Sequence, residues 1–253
     1  MKKEIVRELI DYFKNENPRY NHISIPNSYE EQRALLRGLI NIREPIYIPN
    51  EILKKEDTLL RLELEEKGIT DINNLKEIDD NIILWLGDIT TINSDVIVNA
   101  GNNDGLGCFN PTHLCIDNTI HTFAGIRLRL ECNEILKGGK IEDGEIIVCD
   151  SYNLPCKKII TTVGPQIINQ VREYDEETLA NCYKNSLRYA YENGYKSICF
   201  PSISTGLFGY PISKAKYVAY NTVKEFLSTH DIKVIFNVYS KEDYDEYRSL
   251  FTS

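Results

Sequence analysis

A short segment near the middle of the chain contains three residues of the types that bind zinc. Cys108, His113 and Cys115 lie within eight residues of one another, and Pro111 stiffens the segment between them. Thiolates and imidazole nitrogens are preferred zinc ligands, and three protein ligands leave a fourth coordination position open, as in catalytic zinc sites. The spacing therefore predicts a Zn²⁺ site that water or substrate can reach. The alternative is a pair of buried thiols beside an unrelated histidine.

A glycine-containing segment over residues 202–211 follows a predicted strand and has the features of a phosphate site. Gly206 and Gly209 allow close approach of backbone N–H groups, and Ser204 and Thr205 add hydroxyl donors. The alternative is an ordinary turn between a strand and a helix. The chain contains neither a Walker A motif nor a complete Gly-x-Gly-x-x-Gly motif, which disfavours a kinase-type or standard dinucleotide fold.

An acid and a histidine follow the zinc-ligand segment. Asp117 and His121 are four residues apart at the start of a predicted helix, so they share one helix face. Asp117 can act as the N-cap of that helix, or it can orient water or a sugar hydroxyl as a catalytic acid does. His121 is expected to be a core residue or to support the site from behind.

The elements that must position these residues alternate between strands and helices. Short apolar runs bounded by turn residues predict strands, and longer periodic segments between them predict helices. This alternation predicts an α/β layer sandwich with a largely parallel sheet. The predicted strands cover residues 82–86, 95–99, 145–149, 158–163, 197–200 and 233–239, and the predicted helices cover 119–136, 176–193, 212–227 and 242–250.

The first 78 residues have the pattern of helices alone, without predicted strands, and contain no cysteine. Apolar residues at helical spacing predict a helix over residues 4–13, and Ser28 followed by Glu31 forms a capping-box pattern for a second helix. Asn50 is expected to cap a third helix over residues 51–67. We therefore predict a helical N-terminal extension over residues 1–78 and a main domain over residues 79–253.

Composition and charge exclude several classes of protein. The 253 residues include 29 basic and 38 acidic side chains, and no basic run exceeds two lysines. The net charge of −9 disfavours a nucleic-acid partner, although backbone N–H groups can still bind an anion. The charged N-terminus and the lack of a long apolar run predict a cytoplasmic protein without membrane contact. Seven cysteines without a secretory signal favour free thiols over disulfides, and five are expected in the core: Cys132, Cys149, Cys156, Cys182 and Cys199.

Five ordered motifs together resemble the macrodomain, an ADP-ribose-binding α/β/α fold. They cover residues 87–90, 95–102, 117–125, 162–165 and 201–211. The usual family pattern is Asn-Ala-Ala-Asn, then a run of glycines, then Val-Asp. Here Gly101 replaces the second Ala, Ile116 stands in place of Val, and residues 107–115 replace the glycine run. With its helical extension, the chain looks like the zinc-containing subfamily of microbial protein-ADP-ribosyl hydrolases.

The resemblance implies a role for each matching residue. Asp88 would accept a hydrogen bond from the adenine amine beside Ile89, and Tyr239 would stack on the adenine. Asn102 and Asp117 would face the distal ribose as catalytic residues, with Asn99 part of the same binding motif and Zn²⁺ beside them on Cys108, His113 and Cys115. The diphosphate would be wrapped by residues 204–209, with Tyr210 against the distal ribose: Ser204, Thr205, Gly206, Leu207, Phe208, Gly209 and Tyr210.

The implied function is zinc-dependent hydrolysis of mono-ADP-ribose from protein side chains, most of all from carboxylate esters. Such an enzyme would oppose a sirtuin-type ADP-ribosyltransferase and release free ADP-ribose. Attack of water at the ribose carbon and at the acyl carbon are both open. Three alternatives are a non-catalytic reader of ADP-ribosylated proteins, a hydrolase of small molecules such as O-acetyl-ADP-ribose, and a zinc ion that only stiffens its loop.

Overall fold

Short runs rich in Ile and Val form the strands of one seven-stranded sheet, as expected for residues buried on both faces. The computed structural model of the protein describes residues 1–251. The strands are β1 (Glu77–Asp79), β2 (Ile82–Leu86), β3 (Val96–Ala100), β4 (Ile146–Asp150), β5 (Lys158–Thr162), β6 (Ser197–Phe200) and β7 (Lys233–Val238).

The sheet is mixed and largely parallel, as predicted. Its strand order is β1-β2-β7-β6-β3-β5-β4. The five inner strands run parallel to one another, whereas β1 and β4 pair antiparallel at the two edges. The loops that follow the inner strands therefore leave the sheet at one common edge, which is where ligands bind in open α/β sheets.

Alternating side chains in the strands give the sheet two apolar faces. Leu84 and Val98 pack on one face, and their neighbours Ile83 and Ile97 pack on the other. Three helices cover the first face and two cover the second, which confirms the α/β/α architecture. The first set is α6 (Glu173–Glu192), α7 (Ile212–Leu227) and α8 (Lys241–Arg248), and the second is α4 (Ile116–Ala124) and α5 (Ile126–Leu136).

The N-terminal region is helical, as predicted, and packs on α5. It contains α1 (Lys2–Glu16), α2 (Tyr29–Asn41) and α3 (Asn50–Lys67). The Ser28 hydroxyl accepts a hydrogen bond from the Glu31 N–H, which confirms the predicted cap of α2. The Glu31 carboxylate accepts from the Ser28 hydroxyl and not from the Ser28 N–H, so the reciprocal half of a capping box is replaced by a side-chain bond. Asn50 is the first residue of α3 rather than its cap. The three helices share a core with Ile126, and the division after residue 78 stays a prediction.

The helix predicted over residues 119–136 is wrong as a single element, because Gly125 separates α4 from α5. Gly125 has a φ of +98°, a region that side-chain-bearing residues rarely adopt. The predicted N-cap is wrong as well: Cys115 precedes α4, and its sulfur accepts a hydrogen bond from the Asn118 N–H. Asp117 lies inside the first turn of the helix. Within residues 1–251, no helix has the length and hydropathy needed to cross a membrane.

A buried acid joins the extension to the sheet domain and makes stability depend on pH. Glu56 of α3 is 3% exposed, and its carboxylate accepts a hydrogen bond from the Ile126 N–H at 3.0 Å. Burial raises the pKa of Glu56 from 4.5 to about 7. Because the folded chain binds this proton more tightly, the stabilisation is complete below about pH 4.5 and is lost as the pH rises through about 7.

We therefore expect Glu56→Gln to remove a pH-dependent loss of stability. The amide keeps the acceptor for Ile126 without a charge. Between pH 5 and pH 8, the free energy of unfolding should decrease less in the variant than in the parent, by on the order of 2 kcal/mol. Urea unfolding at both pH values measures this difference. Glu65→Gln, an exposed acid of the same helix, is the control. The same pH dependence in Glu56→Gln and the parent would contradict the assignment.

Candidate functional site

A cleft of about 470 Å³ opens at the sheet edge where the inner strands end. Its walls come from the segments that follow β3, β5, β6 and β7 and from the zinc-ligand segment before α4. Eleven of the residues singled out in the sequence line it together: Asn102, Cys108, His113, Cys115, Asp117, Ser204, Thr205, Gly206, Leu207, Phe208 and Tyr239. Chain segments far apart in the sequence therefore supply one site.

The three zinc-ligand candidates form a compact group on one side of the cleft. Their ligand atoms all lie within 4.8 Å of one another, and Cys108 Sγ is 3.5 Å from His113 Nδ1. Tetrahedral zinc with ordinary bond lengths places sulfur and nitrogen about 3.6 Å apart, so this pair has the spacing of bound ligands. The donor set of two sulfurs and one imidazole also suits zinc. Cys108, His113 and Cys115 thus fit the ion.

Cys115 has a second role as the N-cap of α4. Its sulfur accepts from the Asn118 N–H at 3.4 Å, which fixes the thiol at the start of the helix. Burial raises the pKa of the Cys115 thiol to about 11. At neutral pH this thiol is protonated unless a cation displaces the proton, which is what a zinc ion does when it binds cysteine.

Asp117 is a buried acid at the floor of the cleft. Its side chain accepts a hydrogen bond from Asn99 Nδ2 at 2.8 Å, and Asn99 also donates to Thr161 Oγ1. Burial raises the pKa of Asp117 to about 6, against the lowering effect of Asn99 and of the more distant Arg129. Asn99 is fully buried and does not reach the cleft surface. It holds the carboxylate from behind.

His121 lies one helical turn behind Asp117. Its Nε2 is 3.6 Å from an Asp117 carboxylate oxygen, and burial lowers the pKa of His121 to about 3. The imidazole is therefore neutral, and it supports the acid by contact rather than by charge. Gly107 covers the same ring: it has a φ of +84°, and a Cβ there would lie 2.9 Å from the His121 ring.

Asn102 connects the end of β3 to the zinc-ligand segment. Its Nδ2 donates to the Gly107 carbonyl at 3.3 Å, and its Oδ1 accepts from the Asp104 N–H at 3.0 Å. These two bonds fix the half-buried Asn102 amide in the turn that follows β3. Asn102 and Asp117 thereby line the same cleft as the metal group.

The segment after β6 is suited to an anion. Within the described chain, no hydrogen bond leaves the backbone N–H groups of Thr205, Gly206, Leu207 and Phe208, although these residues line the cleft. The segment is held by its own ends, because Tyr210 N–H donates to the Ser204 carbonyl and Gly209 N–H to that of Gly206. No Lys or Arg occurs among the cleft residues of the part that the structure describes. Free N–H groups are the donors available to a phosphate.

Gly164 permits the position of this segment. A Cβ at Gly164 would lie 2.1 Å from Ser204 Oγ and 2.7 Å from Ile203, so only glycine allows the loop after β5 to approach so closely. The sequence motif over residues 162–165 marks this position but not its contact with Ser204. Asn237 and Asp243 also line the cleft, and sequence reasoning gave them no role.

Five of the residues implied by the family resemblance do not line the cleft: Asp88, Ile89, Asn99, Gly209 and Tyr210. Ile89 and Tyr210 are buried, and each packs in one of the two apolar cores of the sheet domain. Asp88 forms an ion pair with Lys67 at 2.8 Å and accepts from Thr90. Burial disfavours the charged Asp88, but the bonds from Lys67 and Thr90 outweigh it and hold its pKa below the ordinary value.

Comparison with known proteins identifies the fold and the family. The family model described as "Macro domain" matches residues 98–219. The chain is 41% identical to a "Protein-ADP-ribose hydrolase" of Treponema medium, and the match covers 96% of this chain and 97% of that protein. The chain belongs to the macrodomain family. The predicted family is therefore confirmed, and so is the prediction that this member is an enzyme, because its full-length relatives carry the names of hydrolases.

Two further relatives of this macrodomain bear on its function. A "Probable bifunctional ADP-ribose hydrolase/ADP-ribosyltransferase" of Fusarium oxysporum f. sp. cubense is 38% identical over 86% of this chain and 40% of that protein. A Trypanosoma brucei macrodomain, solved in complex with ADP-ribose, is 26% identical, with a TM-score of 0.65 over 89% of this chain and 96% of that one. Neither name mentions a metal, so the zinc-containing subfamily stays a prediction.

We expect Gly107→Ala to lower the free energy of unfolding through a clash with the His121 ring. The substitution forces a side chain into a positive-φ position and presses its Cβ against His121, so the free energy of unfolding should fall by about 1–3 kcal/mol more than positive φ alone requires. Gly138→Ala is the matched control, because Gly138 has a φ of +82° with no neighbour within 4 Å. Urea unfolding compares the two variants, and equal losses would show that the contact with His121 carries no energy.

Proposed function

We propose that this macrodomain is a zinc-dependent hydrolase that removes mono-ADP-ribose from modified protein side chains. One observation supports the proposal most strongly: a zinc-competent Cys-His-Cys group, a buried acid and a segment with free backbone N–H groups line the same cleft. A reader of ADP-ribose needs the anion segment but neither the metal group nor the acid. The names of the full-length relatives support the same activity.

In this proposal, ADP-ribose lies along the cleft with its diphosphate against the N–H groups of residues 205–208. The distal ribose then lies at Asn102 and Asp117, and the adenine lies towards Tyr239, whose side chain is 85% exposed and free to stack. Asp88 is not among the residues that line the cleft, and we assign it to the adenine amine where the base extends beyond the cleft, with the lone pairs that Lys67 and Thr90 leave available. The Trypanosoma brucei macrodomain, solved with ADP-ribose, supports this class of ligand.

Cys108, His113 and Cys115 would hold the zinc ion beside the distal ribose. A bound zinc ion supplies a Lewis acid that polarises a substrate oxygen or lowers the pKa of a bound water. Asn102 hydrogen-bonds the ribose and orients it. Asp117 orients the attacking water, and Asn99 keeps that carboxylate aimed into the cleft from its buried side.

The preferred substrate is a protein whose carboxylate side chain carries ADP-ribose. By removing that group, the enzyme opposes an ADP-ribosyltransferase of the sirtuin type. The pairing with a transferase is supported by the Fusarium relative whose name joins the two activities. The volume of this cleft, about 470 Å³, suits one ADP-ribose unit and therefore the mono-ADP-ribosylated form. The products are the unmodified protein and free ADP-ribose.

We expect Asp117→Ala and Cys115→Ala to abolish turnover while preserving ligand binding. Asp117→Ala loses the group that orients water, and such acid–base groups contribute roughly 10²–10⁴-fold to rate. Cys115→Ala loses a ligand of the zinc ion that would polarise the substrate oxygen. The release of ADP-ribose from a carboxylate-linked, mono-ADP-ribosylated protein measures kcat, and calorimetry measures the affinity for free ADP-ribose. The affinity should change by less than about tenfold, since neither group contacts the diphosphate.

The matched controls are Asp104→Ala and Cys132→Ala. Asp104 is an exposed acid in the turn after β3, and Cys132 is a buried thiol outside the cleft. Both should retain activity close to that of the parent. Parent protein that binds ADP-ribose but releases none would contradict the hydrolase and leave a reader. Faster turnover of O-acetyl-ADP-ribose than of the modified protein would instead assign a small-molecule substrate. Because Cys115 also caps α4, Cys108→Ala tests a structural zinc: parallel loss of stability and turnover in that variant would make the zinc purely structural.

A further inference from the structure

The metal loop, which we define as residues 108–115, has an outer side that faces the N-terminal extension. The loop contains no helix or strand, and its tip over residues 110–112 is exposed. A loop of this kind has few internal bonds to fix its shape. The Thr112 N–H donates to Asn110 Oδ1 at 3.3 Å, and the His113 N–H donates to the Asn110 carbonyl at 3.4 Å.

The contacts that fix the loop converge on the side chain of Asn118, in the first turn of α4. Asn118 is fully buried, and its Nδ2 donates to the Asn110 carbonyl at 3.1 Å. Its Oδ1 accepts two hydrogen bonds from Arg37, at 3.0 and 2.7 Å, and one from Asn41 Nδ2 at 3.0 Å. Arg37 and Asn41 both belong to α2, at positions four apart on one helix face.

The same two residues of α2 also reach the loop backbone. Asn41 Nδ2 lies 3.3 Å from the Pro111 carbonyl, and Arg37 Nη2 lies 3.5 Å from the carbonyl of His113. The guanidinium of Arg37 has no carboxylate partner within residues 1–251, so its hydrogen bonds are given to Asn118 and the loop.

Arg129 of α5 secures the entry to the loop against the end of α2. Its Nε donates to the Leu106 carbonyl at 2.7 Å, and its guanidinium lies over the Phe109 ring at 4.4 Å. Its Nη1 donates to three carbonyls at the end of α2: Ile40, Asn41 and Arg43. Both ends of the metal loop are therefore tied to the same helix of the extension.

We propose that α2 holds the metal loop in its ligand-ready shape, and that Arg37 and Asn41 are positioning residues for the Cys-His-Cys group. This inference rests on the proposed function for its metal. A loop already fixed by α2 loses less conformational freedom when its three ligands converge on one ion. The extension thus contributes directly to metal affinity, although none of its residues is a ligand.

Arg37→Ala tests the proposal, and Arg33→Ala is its matched control. Arg33 precedes Arg37 by one turn of the same helix, but its forked bonds go to Glu63 of α3 and not to the loop. We expect Arg37→Ala to weaken the binding of Zn²⁺ by about 10–100-fold, the usual cost of removing a residue that supports metal ligands. Arg33→Ala should stay within about threefold of the parent on the same scale.

Chelator competition with Zn²⁺ and titration with Co²⁺, followed through its thiolate absorption bands, give the affinities of the full-length chain. Arg37→Lys separates hydrogen bonding from charge, because lysine keeps the charge but cannot form the fork to Asn118. It should bind Co²⁺ more weakly than the parent. Hydrogen exchange of the metal-free chain gives a second readout, in which peptides over residues 108–122 should exchange faster in Arg37→Ala than in Arg33→Ala.

The proposal is overturned if Arg37→Ala and Arg33→Ala bind Zn²⁺ within about twofold of each other and exchange alike over residues 108–122. It is equally overturned if Arg37→Lys matches the parent in both measurements, since charge alone would then account for the effect. A parent chain that binds neither Zn²⁺ nor Co²⁺ would remove the proposed metal. In that event, the exchange of the metal-free chain still decides whether α2 holds the loop.

Discussion

The parallel direction of five neighbouring strands is the constraint on which the rest of the structure depends. Because β2, β7, β6, β3 and β5 point the same way, the segments that follow them leave the sheet at one edge. The polar motifs of the sequence stand at these strand ends. The direction of the strands gathers residues that are more than 130 positions apart, such as Asn102 and Tyr239, into one cleft.

Within that frame, the chemistry depends on polar groups that are buried and held by other polar groups. Asp117 is aimed by Asn99, which never touches the cleft, and Asn118 is held by two side chains of the extension. A buried polar atom without a partner costs roughly 1–3 kcal/mol, so each of these bonds restricts the side chain to one orientation. The residues proposed for catalysis and metal binding lie at the surface of this network, next to the groups that orient them.

Most of the fold was predictable because its signals are local. Apolar runs bounded by turn residues mark the strands, and the capping-box pattern at Ser28 marks the start of α2. The break at Gly125 was missed because periodicity continues across it, and only the backbone conformation reveals it. The cleft residues were also predictable as a set, because strand ends meet at one edge of a parallel sheet.

The contacts that orient the site were not predictable from sequence. Arg37 and Asn118 are 81 residues apart, and although Asn118 lies in the motif over residues 117–125, nothing in that motif indicates a contact with Arg37. The family resemblance implies a role for Asp88, but its pairing with Lys67 arises because the end of α3 lies beside the segment that follows β2. Tyr210 was expected at the distal ribose, yet its ring is buried in the apolar core. These residues depend on which helix lies against which loop, and that information is spread over the whole chain.

The lack of lysine and arginine in the cleft has a consequence for how ionic strength affects ligand encounter. The charged side chains that line the described cleft include Asp117 and Asp243, and the whole chain carries a net charge of −9. The diphosphate of the proposed ligand would therefore approach against a repulsive long-range field and be captured at short range by backbone dipoles. Added salt screens the repulsion but hardly weakens dipoles in close contact. Association of the proposed ligand would then speed up as salt is added, whereas sites built from arginine clusters lose their attraction for anions.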